Sequence, residues 1–175
     1  MTFHADRHAR IVIIGGGAIG CSLAYHLALA GEKDVLLLEK AQITHGSTWH
    51  AAGLVGQLRG KRSLTQLMQN SVAVFDRLAE ETGMATDWKK VGSLRLAASA
   101  DRWSEIRRSM QLAKSFGFEC HSLTAAEAKD KFPLIDPQGV VGAAFIPSDG
   151  YIDPYALTQA YVTGARANGA KIEEG

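Results

Sequence analysis

The stretch Ile11-Val12-Ile13-Ile14-Gly15-Gly16-Gly17-Ala18-Ile19-Gly20 decides the fold of this chain. Four consecutive apolar residues that stop at glycines are the pattern of a short strand buried in a parallel sheet. The glycines obey the spacing Gly15-x-Gly17-x-x-Gly20 and are followed by a helical pattern that begins at about Ala18, with apolar Ile19, Leu23, Ala24, Leu27 and Ala30, and stops at Gly31. A second strand is expected over Val35 to Leu38, closed by Glu39. In this setting Gly15 permits the tight turn, Gly17 lets the backbone approach a pyrophosphate, and Gly20 lets helix and strand pack closely. The helix N-terminus offers free N–H groups to the diphosphate, near Ala18 and Ile19. Glu39, about 20 residues on, suits the ribose hydroxyls and repels a 2′-phosphate, which disfavours NADP. FAD and NAD remain equally compatible with the turn.

Composition narrows the class. With 46% hydrophobic and 21% charged residues over 175 positions, the chain has the make-up of one ordinary globular domain. A net charge of +1 gives no electrostatic footprint for nucleic acid, and the short basic cluster Arg59, Lys61, Arg62 reads as a solvated helix entrance. Cys21 and Cys120 form neither a zinc spacing nor a redox pair. Cys21 reads as a small buried filler, and a reducing compartment, the cytoplasm, is expected. Met1 to Arg10 holds no apolar run of signal-peptide length, and no later run approaches the ~20 residues of a membrane span.

Further along, Ser63-Leu64-Thr65-Gln66 is read as a capping box opening a helix with apolar Leu64, Leu67, Met68, Val72, Phe75, Leu78 and Ala79, ended by Gly83. Gly92 to Ala97 is read as a strand. Asp101 is expected to cap a helix carrying Trp103, Ile106 and Met110, and Thr124-Ala125-Ala126-Glu127 forms another capping box before Pro133. Val140 to Ile146, a turn over Pro147 to Gly150, and Tyr151-Ile152 read as strand, turn, strand. Asp153-Pro154 then opens a helix to about Ala167, and Lys171 to Glu173 begins another strand. So few strands cannot have both faces of a doubly wound sheet covered. The expected fold is therefore α/β, a Rossmann-like parallel sheet flanked by helices with the start of an α+β substrate domain, as the opening part of something larger. Residues 9–60 hold the nucleotide-binding βαβ unit and the loop after it, 61–153 are inserted helices and strands, and 154–175 return to the nucleotide domain.

The second informative block is Gly46-Ser47-Thr48-Trp49-His50-Ala51-Ala52-Gly53-Leu54. Its small residues let backbone and hydroxyls come close to a ligand, and Ala51-Ala52-Gly53 leaves room along a flat ring system. Trp49 reads first as a packing aromatic, and a lone His50 as a surface side chain. Together with Gly15, Gly17, Gly20, Glu39 and the segment Asp149-Gly150-Tyr151-Ile152-Asp153-Pro154-Tyr155, this block closely resembles the FAD-dependent dimethylglycine and sarcosine dehydrogenases, within the D-amino-acid-oxidase-like oxidoreductases. The resemblance covers essentially the whole chain.

That resemblance implies a bound FAD, joined covalently through His50. Ala18 and Ile19 would meet its pyrophosphate, Glu39 and Lys40 would lie near the adenosine ribose, and Gly46 to Leu54 would line the ribityl chain and isoalloxazine; Lys40 reads equally well as an exposed strand-end charge. The implied reaction is oxidation of the N-methyl group of a small amino acid by hydride transfer to the flavin. Oxygen or an electron-transfer flavoprotein would be the acceptor, and tetrahydrofolate would bind a C-terminal domain absent from these 175 residues. No catalytic residue is assigned, since substrate and acid/base groups would lie downstream. Other readings are a related FAD enzyme without the covalent link, and a non-catalytic relative serving as an interaction module. No metal, nucleic-acid or membrane partner is expected.

Overall fold

A computed structural model describes residues 8–175; most of the leading stretch Met1 to Arg10 lies outside the described residues. In chain order the elements are β1 (Ile11–Ile14), α1 (Ala18–Leu29), β2 (Val35–Glu39), β3 (Leu54–Val55), α2 (Arg62–Thr82), β4 (Ser93–Ala97), α3 (Ala100–Ser115), β5 (His121–Leu123), α4 (Ala125–Lys131), β6 (Gly142–Ile146), β7 (Gly150–Tyr151), α5 (Pro154–Ala167) and β8 (Lys171–Glu174). A single 3-10 turn, Ser47–His50, lies between β2 and β3. The chain forms two compact units. The first comprises the stretch ending at Gly53, Val74–Trp88 and Ile152–Gly175; the second comprises Leu54–Ala73 and Lys89–Tyr151. The residues of α2 are thus shared between them.

In the first unit a parallel sheet runs in the order β1-β2-β8, with Val12 opposite Leu36 and Ile14 opposite Leu38. One face packs on α1 and α5. Ile13 points there, 3.4 Å from where a side chain on Gly20 would begin. The two helices meet through small residues. A Cβ on Gly164 of α5 would stand 2.6 Å from the Tyr25 ring of α1, whose centroid is 5.6 Å from that of Tyr161. The opposite face differs from the buried strand that the apolar run suggests. Ile14 is 88% exposed and Val12 half exposed, because among the described residues no helix packs on that side.

Helix α1 also turns a different face inward from the one its pattern suggests. Cys21, Ala24, Tyr25 and Ala28 are buried, whereas Ile19, Leu23 and Ala30 are exposed. The helix is apolar nearly all round, so periodicity alone does not select a side. Burial pushes the Cys21 thiol up to about 12, which suits an inert filler.

The second unit is built on an antiparallel sheet in the order β4-β6-β5, with α3 and α4. Ala97, Ile106, Met110 and Ala144 form one buried cluster; Leu58, Ala113, Phe118 and Ile146 form another. The neighbouring two-residue strands β3 and β7 pair Leu54 with Tyr151 and Val55 with Gly150.

Three local expectations shift. Helix α2 starts at Arg62, so Ser63 lies inside it, and the hydroxyl of Thr65 turns back to accept the Arg59 N–H at 3.0 Å. Helix α3 is capped by Ser99, which accepts from the Arg102 N–H, and Asp101 sits within the first turn instead. The short strands β3 and β5 have no recognisable pattern at two and three residues. The capping box at Thr124 is present with both of its hydrogen bonds, and Asp153 caps α5 by accepting from Tyr155 and Ala156.

Candidate functional site

The site begins at the glycine turn between β1 and α1. Gly15 has φ +110, a conformation that favours glycine, and its N–H donates to the Leu38 carbonyl at 2.8 Å. A Cβ on Gly20 would lie 2.0 Å from the Gly15 carbonyl oxygen, so helix and turn can approach only with glycine there. Gly17 opens α1 and supplies no side-chain cap. Its missing Cβ leaves space for a neighbour: a side chain there would begin 3.0 Å from the Thr48 hydroxyl, which accepts the Ala18 N–H at 3.0 Å. Thr48 of the second block therefore sits directly on the helix N-terminus.

Glu39 closes β2 beneath this turn. One carboxylate oxygen accepts the Gly16 N–H at 2.7 Å and the other the Ala41 N–H at 3.0 Å. The Gly16 bond, followed by that of Ala41, holds the Glu39 carboxyl below its usual range. Each oxygen keeps a lone pair for a further donor.

Two residues central to this arrangement escape the sequence reading. Gly16 is buried, and a side chain on it would strike Ile43 and Glu39. Thr44 is buried with φ +76, an outlier for a β-branched residue, and outliers of this kind cluster at functional sites. Its N–H donates to the Gly16 carbonyl at 3.0 Å and its carbonyl accepts from Trp49 at 3.2 Å. Gly16 carried a faint signal as the middle of three glycines; Thr44 carried none.

Glycine turn, Glu39, Thr44 and Thr48 thus form one hydrogen-bonded cage within the first unit. Beside it lies a cavity of about 810 Å³ whose walls include His45, Trp49, His50, Tyr155 and Gln159. Gly46, Ser47, Trp49, His50, Ala51 and Ala52 are all exposed, as is Lys40. Gly53, at φ +71, accepts from the Ile152 N–H, and a Cβ on it would lie 2.1 Å from the Ile152 carbonyl oxygen. Leu54 begins β3 in the second unit. Ile19 is 87% exposed at the head of α1. A helix end whose first N–H is held by the Thr48 hydroxyl, an acid at the adjoining strand end and a strip of exposed small and apolar residues fit a flavin dinucleotide.

A family model described as FAD dependent oxidoreductase matches residues 10–175. The chain belongs to this family. Among its relatives, mitochondrial dimethylglycine dehydrogenase of Homo sapiens is 42% identical over 165 residues, and mitochondrial sarcosine dehydrogenase of Homo sapiens is 40% identical over 167. These matches cover 94% and 95% of the chain but 19% and 18% of the relatives, so the chain spans about one fifth of their length. The solved structure of L-proline dehydrogenase from P. horikoshii superposes with a TM-score of 0.90 at 32% identity, covering 96% of the chain and 44% of that structure. The family is described as FAD-dependent. No helix among the described residues is long and apolar enough to cross a membrane.

Proposed function

We propose that this chain is the flavin-holding part of an enzyme that oxidises the N-methyl group of a small amino acid. The observation that carries the reading is the cage itself, in which Gly16, Ala18, Glu39, Thr44 and Thr48 join the glycine turn to the block that bears His50. Ala18, Ile19 and Thr48 face the pyrophosphate, Glu39 and Lys40 the adenosine ribose, and the segment from Gly46 to Leu54 the ribityl chain and ring system. His50 is the residue to which the flavin is joined. Bound there, the flavin supplies a two-electron acceptor for the hydride leaving the N-methyl carbon. The chain's own residues hold and orient it through the helix end, the carboxylate and the small-residue block.

The substrate class is supported by the names of the two relatives, both dehydrogenases of N-methylated glycines. Oxygen or an electron-transfer flavoprotein takes the electrons, and tetrahydrofolate, where used, belongs to a C-terminal domain. The first unit, which includes Val74–Trp88, is the nucleotide domain, the second unit begins the substrate domain, and the acid/base groups lie in the length that the relatives possess beyond this match. Two free cysteines suit a reducing cytoplasm.

The test is the absorption spectrum of the full-length protein before and after acid precipitation, for wild type and His50→Ala. Yellow colour kept in the wild-type pellet and lost in the variant is the expected result. Flavin released from both leaves a flavoenzyme of the wider family with His50 as a non-covalent contact, and a colourless wild type overturns the reading.

A further inference from the structure

Away from the cage, Asp149 combines complete burial with a set of contacts that the reaction does not explain. Its side chain is fully shielded from solvent. One oxygen accepts from the Gln57 backbone N–H at 2.9 Å and from the Gln57 side-chain amide at 3.3 Å; the other accepts from the Ser93 hydroxyl at 2.7 Å. The Gln57 amide also donates to the Ser148 carbonyl at 2.7 Å, and the Asp149 carbonyl accepts the Gly92 N–H at 2.7 Å. All three side-chain bonds come from neutral donors. Withdrawing a carboxyl group from water is costly unless such bonds are complete, so a turn that needed only to close would be served by a smaller or exposed side chain. This one instead ties together segments far apart in sequence, at residues 57, 93 and 149.

The segments it ties adjoin the flavin-holding block. Strand β3 continues the block and strand β7 leads into α5. Each contributes only two residues to their ladder, too few to hold a register unaided. Next along the chain Ile152 donates to Gly53, and three residues beyond that pair stand His50 and Tyr155, both walls of the cavity. We propose that Asp149 is a positioning residue: by clamping Gln57 it locks the register of the β3–β7 ribbon, and through the continuous chain it sets the spacing of His50 and Tyr155. The proposal rests on the flavin reading above.

Asparagine is the informative replacement. Its oxygen can keep both Gln57 donors while its NH2 group faces Ser93, whose hydroxyl turns round to accept. In the full-length protein, produced flavin-free in a riboflavin-starved host and then supplied with FAD, two quantities are measured: amide hydrogen exchange over residues 53–57 and 150–152, and the rate of flavin capture. Asp149→Ala is expected to speed exchange and slow capture by about tenfold each, and Asp149→Asn to stay within about threefold of wild type in both. Faster exchange with wild-type capture in Asp149→Ala would reduce the clamp to scaffolding and overturn the proposal. So would an Asp149→Asn protein as impaired as Asp149→Ala. Should Asp149→Ala not fold, Gln57→Ala removes the side-chain half of the clamp, its bonds to Asp149 and Ser148, and is expected to fall between; capture at the wild-type rate in that variant overturns the proposal equally. A wild type that captures no FAD overturns the flavin reading and, with it, the proposal, whereas a wild type that captures FAD beside any of the contrary variant results overturns the proposal alone.

Discussion

Thr48 shows how one hydroxyl changes the meaning of a glycine. The spacing of the glycine turn assigns Gly17 to the close approach of a pyrophosphate, yet its missing side chain also makes room for the Thr48 hydroxyl on the Ala18 N–H. Having accepted that bond, the hydroxyl still has its own hydrogen to donate to a ligand oxygen. Thr48→Val is therefore expected to weaken ADP binding by about tenfold and Thr48→Ser to restore it, as read by calorimetry. Unchanged affinity in the valine variant would mean that the diphosphate takes the freed Ala18 N–H directly. Glu39 carries a pH dependence of known sign. Its folded pKa is depressed, so the stability it contributes is present above the unfolded value near 4.5 and is lost as pH falls through the folded value. Glu39→Gln keeps one acceptor oxygen and loses the charge. Its melting temperature is expected below wild type at pH 7, with the gap closing as pH falls below about 4.5; a gap constant down to pH 3 would contradict this.

Among the elements, α1 separates glycines that the fold requires from glycines that only a ligand could require. Gly20→Ala places a methyl group 2.0 Å from the Gly15 carbonyl oxygen, so helix and strand must part. The expected cost is about 1–3 kcal/mol in urea unfolding without ligand. Gly46 has nothing within 4 Å of a built Cβ, so Gly46→Ala meets no clash and is expected to cost less than Gly20→Ala in the same assay. Equal losses for the two variants would mean that the glycine turn tolerates more movement than its geometry implies. The same helix shows a limit of pattern reading. Its capping glycines and its length were legible, but its buried face was not, because a helix apolar on nearly every side offers no contrast for periodicity to use. Ser99 and Asp101 illustrate a second limit: two capping residues stand two apart, and only the path of the chain into α3 selects Ser99.

For the whole molecule, the bare face of the parallel sheet is the most consequential feature. Val12 and Ile14 lie on it in register with Leu36 and Leu38, while the other face packs on α1 and α5. Apolar strand residues left this open form a face on which a helix or strand can pack, and the chain spans about one fifth of its relatives' length. Ile14→Thr is expected to leave the urea midpoint of the 175-residue chain almost unchanged. In the full-length protein it is expected to cost about 1–3 kcal/mol. Equal effects in both would mean that the face stays bare in the longer protein.

By itself the sequence determined the opening βαβ unit, its glycine turn with Glu39, the likeness of Gly46 to Leu54 to a flavin block, and the return into a second helix at Asp153-Pro154. Each is written in local spacing, where backbone geometry and capping chemistry act over a few residues. The tertiary structure alone decided that Thr48 sits on the helix end, that a strained Thr44 bridges turn and block, and that Asp149 clamps Gln57. These are single contacts between residues 28 to 92 positions apart. No periodicity announces them, because they depend on where separate elements come to rest rather than on what each element is.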